Sequence, residues 1–127
     1  MIVARYKGIE NKEEIEALCA AVKSAGMEDR CFIRDIENYE KVYDDPRELW
    51  ASALKEISAC DALLIDVSDQ PTGGRVVEAG IAYGQGKPIF VIARNGVSYK
   101  EVFDGIATVV IRYDEFSDIV AALSKYA

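Results

Sequence analysis

The chain contains no histidine in its 127 residues. That absence removes Ser-His-Asp and Cys-His nucleophile systems and every His-based metal site. Any acid–base chemistry falls to carboxylates, tyrosines, lysines or the substrate itself. Cysteine is scarce: Cys19, Cys31 and Cys60 are odd in number and widely spaced, neither a disulfide framework nor a zinc knuckle. Each sits among apolar residues, so reduced, buried thiols are expected, with no metal and no cofactor. Hydrophobic runs are short, and none approaches the roughly 18 residues of a membrane span. "MIVARY" carries charge at once and "NKEEIEA" follows, which leaves no h-region, so a cytoplasmic location is expected. Positive charge is in deficit: 15 Lys and Arg stand against 22 Asp and Glu, a formal charge of −7 and a pI near 4.6. Nucleic acid and anionic membrane are therefore poor partners. A small anion remains possible where backbone N–H groups and one arginine converge.

Half of the residues are apolar and 29% are charged, a globular composition. The length suits a single domain over residues 1–127. Strand-like runs alternate with helical periodicity along the whole chain. "MIVARY" (1–6) reads as the first strand, and "NKEEIEALCAAVKSAG" as a helix with Asn11 as cap and Gly26 as stop. "RCFIRDI" (30–36) reads as the second strand, followed by a polar loop rich in tyrosine. "DPRELWASALKEISAC" opens a helix with Asp45 as cap, Pro46 first and Glu48 in capping-box spacing. "DALLIDVS" (61–68) and "KPIFVIAR" (87–94) have the near-continuous apolar character of buried parallel strands, with the helix "RVVEAGIAYGQG" between them. "SYKEVFDGI", with Ser98 and Glu101 in capping-box spacing, reads as a short helix, "TVVIRY" (108–113) as a fifth strand, and the last helix is capped by Asp114. The expected fold is α/β, a flavodoxin-like (Rossmann-like) three-layer sandwich on a five-stranded parallel sheet of order 2-1-3-4-5.

In that order ligands bind at the carboxyl ends of the strands, where the chain reverses direction. The loops there are "RYKGIEN", with Tyr6 and Gly8, and "SDQPTGG". Thr72, Gly73 and Gly74 precede a helix, and with Arg75 they suit a phosphate or ribose; a tight turn capped by Thr72 is the equal alternative. Glu78 is a lone carboxylate among small and apolar residues, just over one turn into that helix. Either it belongs to a solvated face and pairs with Arg75 at i, i+3, or it borders the cleft. Asp66, Ser68 and Asp69 end the third strand, where the two acids could bind sugar hydroxyls or serve in proton transfer; Asp69 also suits a turn before Pro71.

Residues 59–92, "ACDALLIDVSDQPTGGRVVEAGIAYGQGKPIFVI", resemble the core of the nucleoside 2-deoxyribosyltransferases and the related 2'-deoxynucleoside 5'-phosphate N-hydrolases. The shared pattern is a Cys-Asp pair, an apolar strand, a loop with glycine, then Glu78, Gly80, Ala82, Gly86, Lys87 and Pro88. The resemblance implies Glu78 as a nucleophile at the anomeric carbon, with water or a second base resolving the ester. It implies that Thr72 and Arg75 favour a 5'-monophosphate, that Tyr6 is the first-strand tyrosine, and that Ser98 completes a neighbouring subunit's site in a homodimer or larger oligomer. The chain departs from the family at Ala53, where an aspartate that assists the leaving base is usual. Asp66, Asp69 or an acid of the Tyr39–Asp45 loop would have to replace it. The implied partner is a small nucleoside or nucleotide. Two functions follow, an N-glycosidic bond hydrolase or transferase and a catalytically inactive nucleotide-binding module; a third reading makes the small-residue helix only an assembly interface.

Overall fold

A computed structural model describes residues 1–4 and 11–127. Among them, Ile2–Val3 form β1, Leu63–Asp66 β2, Ile89–Arg94 β3 and Val109–Tyr113 β4. These make a parallel sheet of order β1-β2-β3-β4. Its register runs Ile2↔Leu64↔Phe90↔Val109 and Val3↔Ile65↔Val91↔Val110. Side chains alternate faces along each strand. Val3, Leu63, Ile65, Ile89 and Val91 therefore feed one core, while Ile2, Leu64, Phe90, Ile92, Ile111 and Tyr113 feed the other. Burial on both faces is why β2 and β3 read as unbroken apolar runs.

Helix α1 (Lys12–Ser24) lays Ile15, Leu18, Cys19 and Val22 against the second core, beside Ile119 and Leu123 of α6 (Phe116–Leu123). On the opposite face, α3 (Pro46–Ala59) contributes Ala53 and Ile57, α4 (Gly74–Gly84) Ala79 and Ala82, and α5 (Val102–Ile106) Phe103. The result is a helix–sheet–helix sandwich. Asp45 caps α3 by accepting the Arg47 N–H at 2.9 Å, with Pro46 at the first position. Lys87 donates from Nζ to the carbonyls of Ser58 (2.9 Å) and Cys60, which ties the start of β3 to the last turn of α3. Gly26 follows α1 at φ +91°, and a Cβ there would lie 3.1 Å from that of Ala127.

The sheet corrects the expectation of five strands in order 2-1-3-4-5. Of the run 30–36, only Cys31 pairs with the sheet, through one parallel bridge to Ile2, whose N–H donates to Arg30 O at 2.8 Å. The bridge lies on the side of β1 away from β2, where the second strand was expected. From Phe32 the chain turns into the one-turn helix α2 (Phe32–Asp35). A local charge knot explains the turn. Asp35 accepts the Cys31 N–H at 2.8 Å, and Arg34 pairs with both Asp35 (2.9 Å) and Asp29 (3.0 Å). These bonds close within a few residues and outcompete a ladder for which the run offers only three apolar side chains in succession.

Three helix caps also differ. Glu115, not Asp114, caps α6, in a reciprocal box with Asp118. Gly73, not Thr72, stands at the cap of α4, at φ +58°, which glycine adopts without strain. No side chain caps α5, so Ser98 and Glu101 form no box there. No helix among the described residues is long and apolar enough to cross a membrane.

Candidate functional site

Among the described residues, two clefts open at the carboxyl edge of the sheet. The larger, about 430 Å³, lies between β1, α2, α3 and α4. Because the chain turns into α2 instead of extending a strand, Phe32 and Ile33 become its first wall. Leu49, Trp50 and Ala53 of α3 form the second, and Thr72, Gly74, Arg75 and Glu78 the third. Glu37, just after α2, joins them. A Cβ on Gly74 would lie 3.6 Å from the Trp50 ring, so the glycine lets the start of α4 lie close to the indole.

Glu78 is half-buried in the cleft wall, next to Ala79, which is packed into the core at 1% exposure. Its carboxylate makes no hydrogen bond among the described residues. Burial raises its pKa to about 7, the Cys31 sulfur and the Glu37 carboxylate push it the same way, and Arg75 opposes them. Arg75 does not pair with it. The guanidinium instead donates to Asp69 Oδ1 at 2.7 Å and reaches Asp66 O at 3.4 Å, which braces the start of α4 against the loop after β2. The solvated Arg75–Glu78 pair is therefore not the arrangement seen. Burial also raises the pKa of Glu37. Glu37 precedes two left-handed residues, Asn38 at φ +48° and Tyr39 at φ +61°. The Tyr39 N–H donates to Ile33 O at 2.8 Å, and its hydroxyl to Glu16. This turn folds the chain back on α2 and fixes Glu37 at the cleft.

The smaller cleft, about 240 Å³, lies on the α1/α6 side and is lined by Asp66, Ser68, Asp69, Arg94, Glu14 and Phe116, among others. Its groups are engaged. Asp66 accepts the Ser68 N–H (3.0 Å) and the Tyr113 hydroxyl (2.8 Å). The Arg94 N–H donates to Ser68 Oγ at 2.8 Å, and the Arg94 side chain pairs with Glu14 at 3.0 Å. Asp69 holds Arg75 through one oxygen, while Oδ2 is buried without a partner.

The structure thus brings Glu78, Thr72, Gly74 and Arg75 to one cleft and Asp66, Ser68 and Asp69 to the other, with Arg75–Asp69 as the link between them. Gly73 shapes the cap without lining either cleft. Ser98 is exposed, and its carbonyl accepts from Gln70, which does line the larger cleft. Tyr6 and Gly8 lie outside the described residues. Sequence reading missed Glu37, Phe32 and Trp50. Glu37 stood just ahead of the loop in which a replacement acid was sought. Ala53 lines the larger cleft at 2% exposure, so the family's aspartate position falls on its wall. Among the described residues no group of three His, Cys, Asp or Glu could hold a metal ion.

No family model matches the sequence, and no curated protein matches it. Among solved structures, the chain is similar to the CMP N-glycosidase BcmB of Clostridium botulinum, with a TM-score of 0.71 and 18% identity over 99% of this chain and 98% of that one. It is more distantly similar to a 3-dehydroquinate dehydratase-like protein of Bifidobacterium longum, with a TM-score of 0.51 and 15% identity over 98% and 89% of the two chains. In fold, then, this chain matches the Clostridium botulinum protein over nearly its whole length, which is consistent with the resemblance carried by residues 59–92.

Proposed function

We propose that the chain cleaves the N-glycosidic bond of a nucleoside or nucleoside 5'-monophosphate, with Glu78 as nucleophile. The observation that carries the reading is a sheltered glutamate whose carboxylate has no hydrogen-bond partner among the described residues, in a cleft of nucleoside size. A carboxylate that is neither solvated nor paired is held ready for a developing positive charge, here the oxocarbenium-like anomeric carbon. The N-glycosidase activity of the Clostridium botulinum neighbour supports the same class of bond.

Phe32, Leu49 and Trp50 offer apolar surface for a base. The first N–H groups of α4 have no acceptor within the helix, and with Thr72 and Arg75 they suit the sugar or its 5'-phosphate. Glu78 attacks the anomeric carbon as the bond to the base breaks, forming a glycosyl ester. Water resolves the ester in hydrolysis, and a second base resolves it in transfer. Asp66 and Asp69, held by Tyr113, Ser68 and Arg75, serve the reading as supports for the start of α4.

The alternative, a nucleotide-binding module without chemistry, draws on Ala53 in the cleft wall. One assay separates the two. Ribo- and deoxynucleosides and their 5'-monophosphates are incubated with the protein, with and without an acceptor base, and released base is followed by chromatography. Release that disappears in Glu78→Gln supports the enzyme. Nucleotide binding without release overturns it in favour of the module, and neither result leaves only the fold. A homo-oligomer belongs to the same proposal. Val76, Val77 and Tyr83 are 41%, 48% and 56% exposed on the outer side of α4, beside Gly80 and Gly84. A monomer in light scattering at working concentration would overturn that part.

A further inference from the structure

We propose that Glu37 is the general acid that protonates the departing base, supplying from the α2 side of the cleft the carboxyl group that α3 lacks at Ala53. The inference rests on the N-glycosidase reading. Glu37 and Glu78 line the same cleft and interact electrostatically, and Ala53 lies in the wall of that cleft. No described cation pairs with either carboxylate. Arg75 is held by Asp69, Arg34 by Asp29 and Asp35, and Arg30 by Glu56. Two carboxylates that share a cleft without a paired cation resist double ionisation: burial raises the pKa of each, and Cys31 and Glu37 add to the rise at Glu78. The left-handed turn at Asn38 and Tyr39 keeps Glu37 in place, and backbone strain of this kind is stored where position matters.

In the empty cleft a proton near neutrality favours Glu78, whose pKa is raised to about 7. A bound base reverses that preference. Its ring nitrogen or carbonyl oxygen accepts a hydrogen bond from protonated Glu37, while positive charge at the anomeric carbon favours ionised Glu78. The step then balances. A Glu78 oxygen forms a bond to the anomeric carbon. The carbon–nitrogen bond breaks and its electron pair passes to the base. The Glu37 proton goes to the base, which leaves neutral. Glu37, now a carboxylate, takes a proton from the incoming water as the hydroxyl adds to the anomeric carbon and Glu78 departs. The sum is nucleoside plus water giving sugar and free base.

The test compares leaving groups. Base release from the best natural substrate and nitrophenolate release from 4-nitrophenyl ribofuranoside or deoxyribofuranoside are measured for the wild type, Glu37→Gln and Glu78→Gln. Thermal unfolding is recorded for each variant to confirm that it is folded. Nitrophenolate leaves without a proton, so a missing acid costs it little. Glu37→Gln is expected to lose about 10²- to 10⁴-fold in kcat/KM for the natural substrate and under about fivefold for the nitrophenyl glycoside. Glu78→Gln is expected to lose both. Equal losses for Glu37→Gln on the two substrates, or no loss on the natural one, overturn the assignment while leaving the N-glycosidase reading intact. A wild type that releases neither product overturns that reading and this inference with it. If the nitrophenyl glycoside is not accepted, the pH profile on the natural substrate decides. The wild type is expected to lose kcat/KM above its upper pKa and Glu37→Gln to lack that descending limb, and the same limb in both overturns the proposal.

Discussion

Two pairs of acids stand at the same edge of one sheet, and they are treated in opposite ways. Asp66 is engaged by a backbone N–H and a tyrosine hydroxyl, and Asp69 by an arginine. Glu78 and Glu37 line the neighbouring cleft, and their carboxylates have no hydrogen bond or paired cation among the described residues. A partnered buried carboxylate stabilises a fold, whereas an unpartnered one costs stability and persists as a reactive group. The same residue chemistry thus serves structure on the α1/α6 side and is available for reaction on the α3/α4 side.

The largest effects are expected at Glu78. Glu78→Gln is expected to lower base release by at least about a thousandfold, measured as product per folded protein. The same change is expected to stabilise the protein at pH 8. The pKa of Glu78 lies near 7 in the folded chain, above the ordinary value of 4.5. The folded state therefore keeps a proton that the unfolded chain releases, and stability falls as pH rises through that window. Glutamine removes this loss, a gain of about 1–3 kcal/mol in denaturant unfolding at pH 8 that fades near pH 4. Reduced stability together with reduced activity would erase the contrast between the two pairs.

The pH profile is next in size. The proposed mechanism needs Glu37 protonated and Glu78 ionised, so kcat/KM should be bell-shaped, with its descending limb near the value of about 7 for Glu78. Glu37 and Cys31 raise that value and Arg75 lowers it, so Glu37→Gln should also shift Glu78 downward. Activity still climbing between pH 7 and pH 9 would mean that the Glu37 proton has no role.

On the other side of the sheet the effects fall on stability. Asp66→Asn is expected to cost about 1–3 kcal/mol, because the Tyr113 hydroxyl and the Ser68 N–H lose their charged acceptor. Tyr113→Phe is expected to cost about 0.5–1.5 kcal/mol, since Asp66 keeps its backbone partner. Both are read by thermal or denaturant unfolding, with activity per folded molecule retained. A loss of activity at Asp66 as large as that at Glu78 would merge the two regions into one site.

Much of the fold is legible along the chain. Leu63, Ile65, Ile89 and Val91 alternate with Leu64, Phe90 and Ile92, and a strand apolar on both faces has to lie between two layers of helix. Glu78 stands out for the same local reason, as one carboxylate among Val76, Val77, Ala79 and Ile81. The second strand misled because its apolar residues carry strand propensity, while the ion pairs that convert it to α2 involve Asp29, Arg34 and Asp35 in a geometry that exists only once the chain has turned. Glu37 passed unnoticed for a related reason, since nothing in "DIENYE" shows that the turn after α2 faces a cleft.

The sequence by itself determined the alternation of strand and helix, the two-sided burial of the sheet and the position of Glu78 one turn into α4, because each depends on spacing along the chain. Only the tertiary structure decided which acids are paired. Asp66 meets Tyr113 47 residues away and Arg75 turns from Glu78 to Asp69, while Glu37 reaches the cleft of Glu78 across the edge of the sheet. A carboxylate's role depends on the groups within a few ångströms of it, and folding chooses those groups from distant parts of the chain.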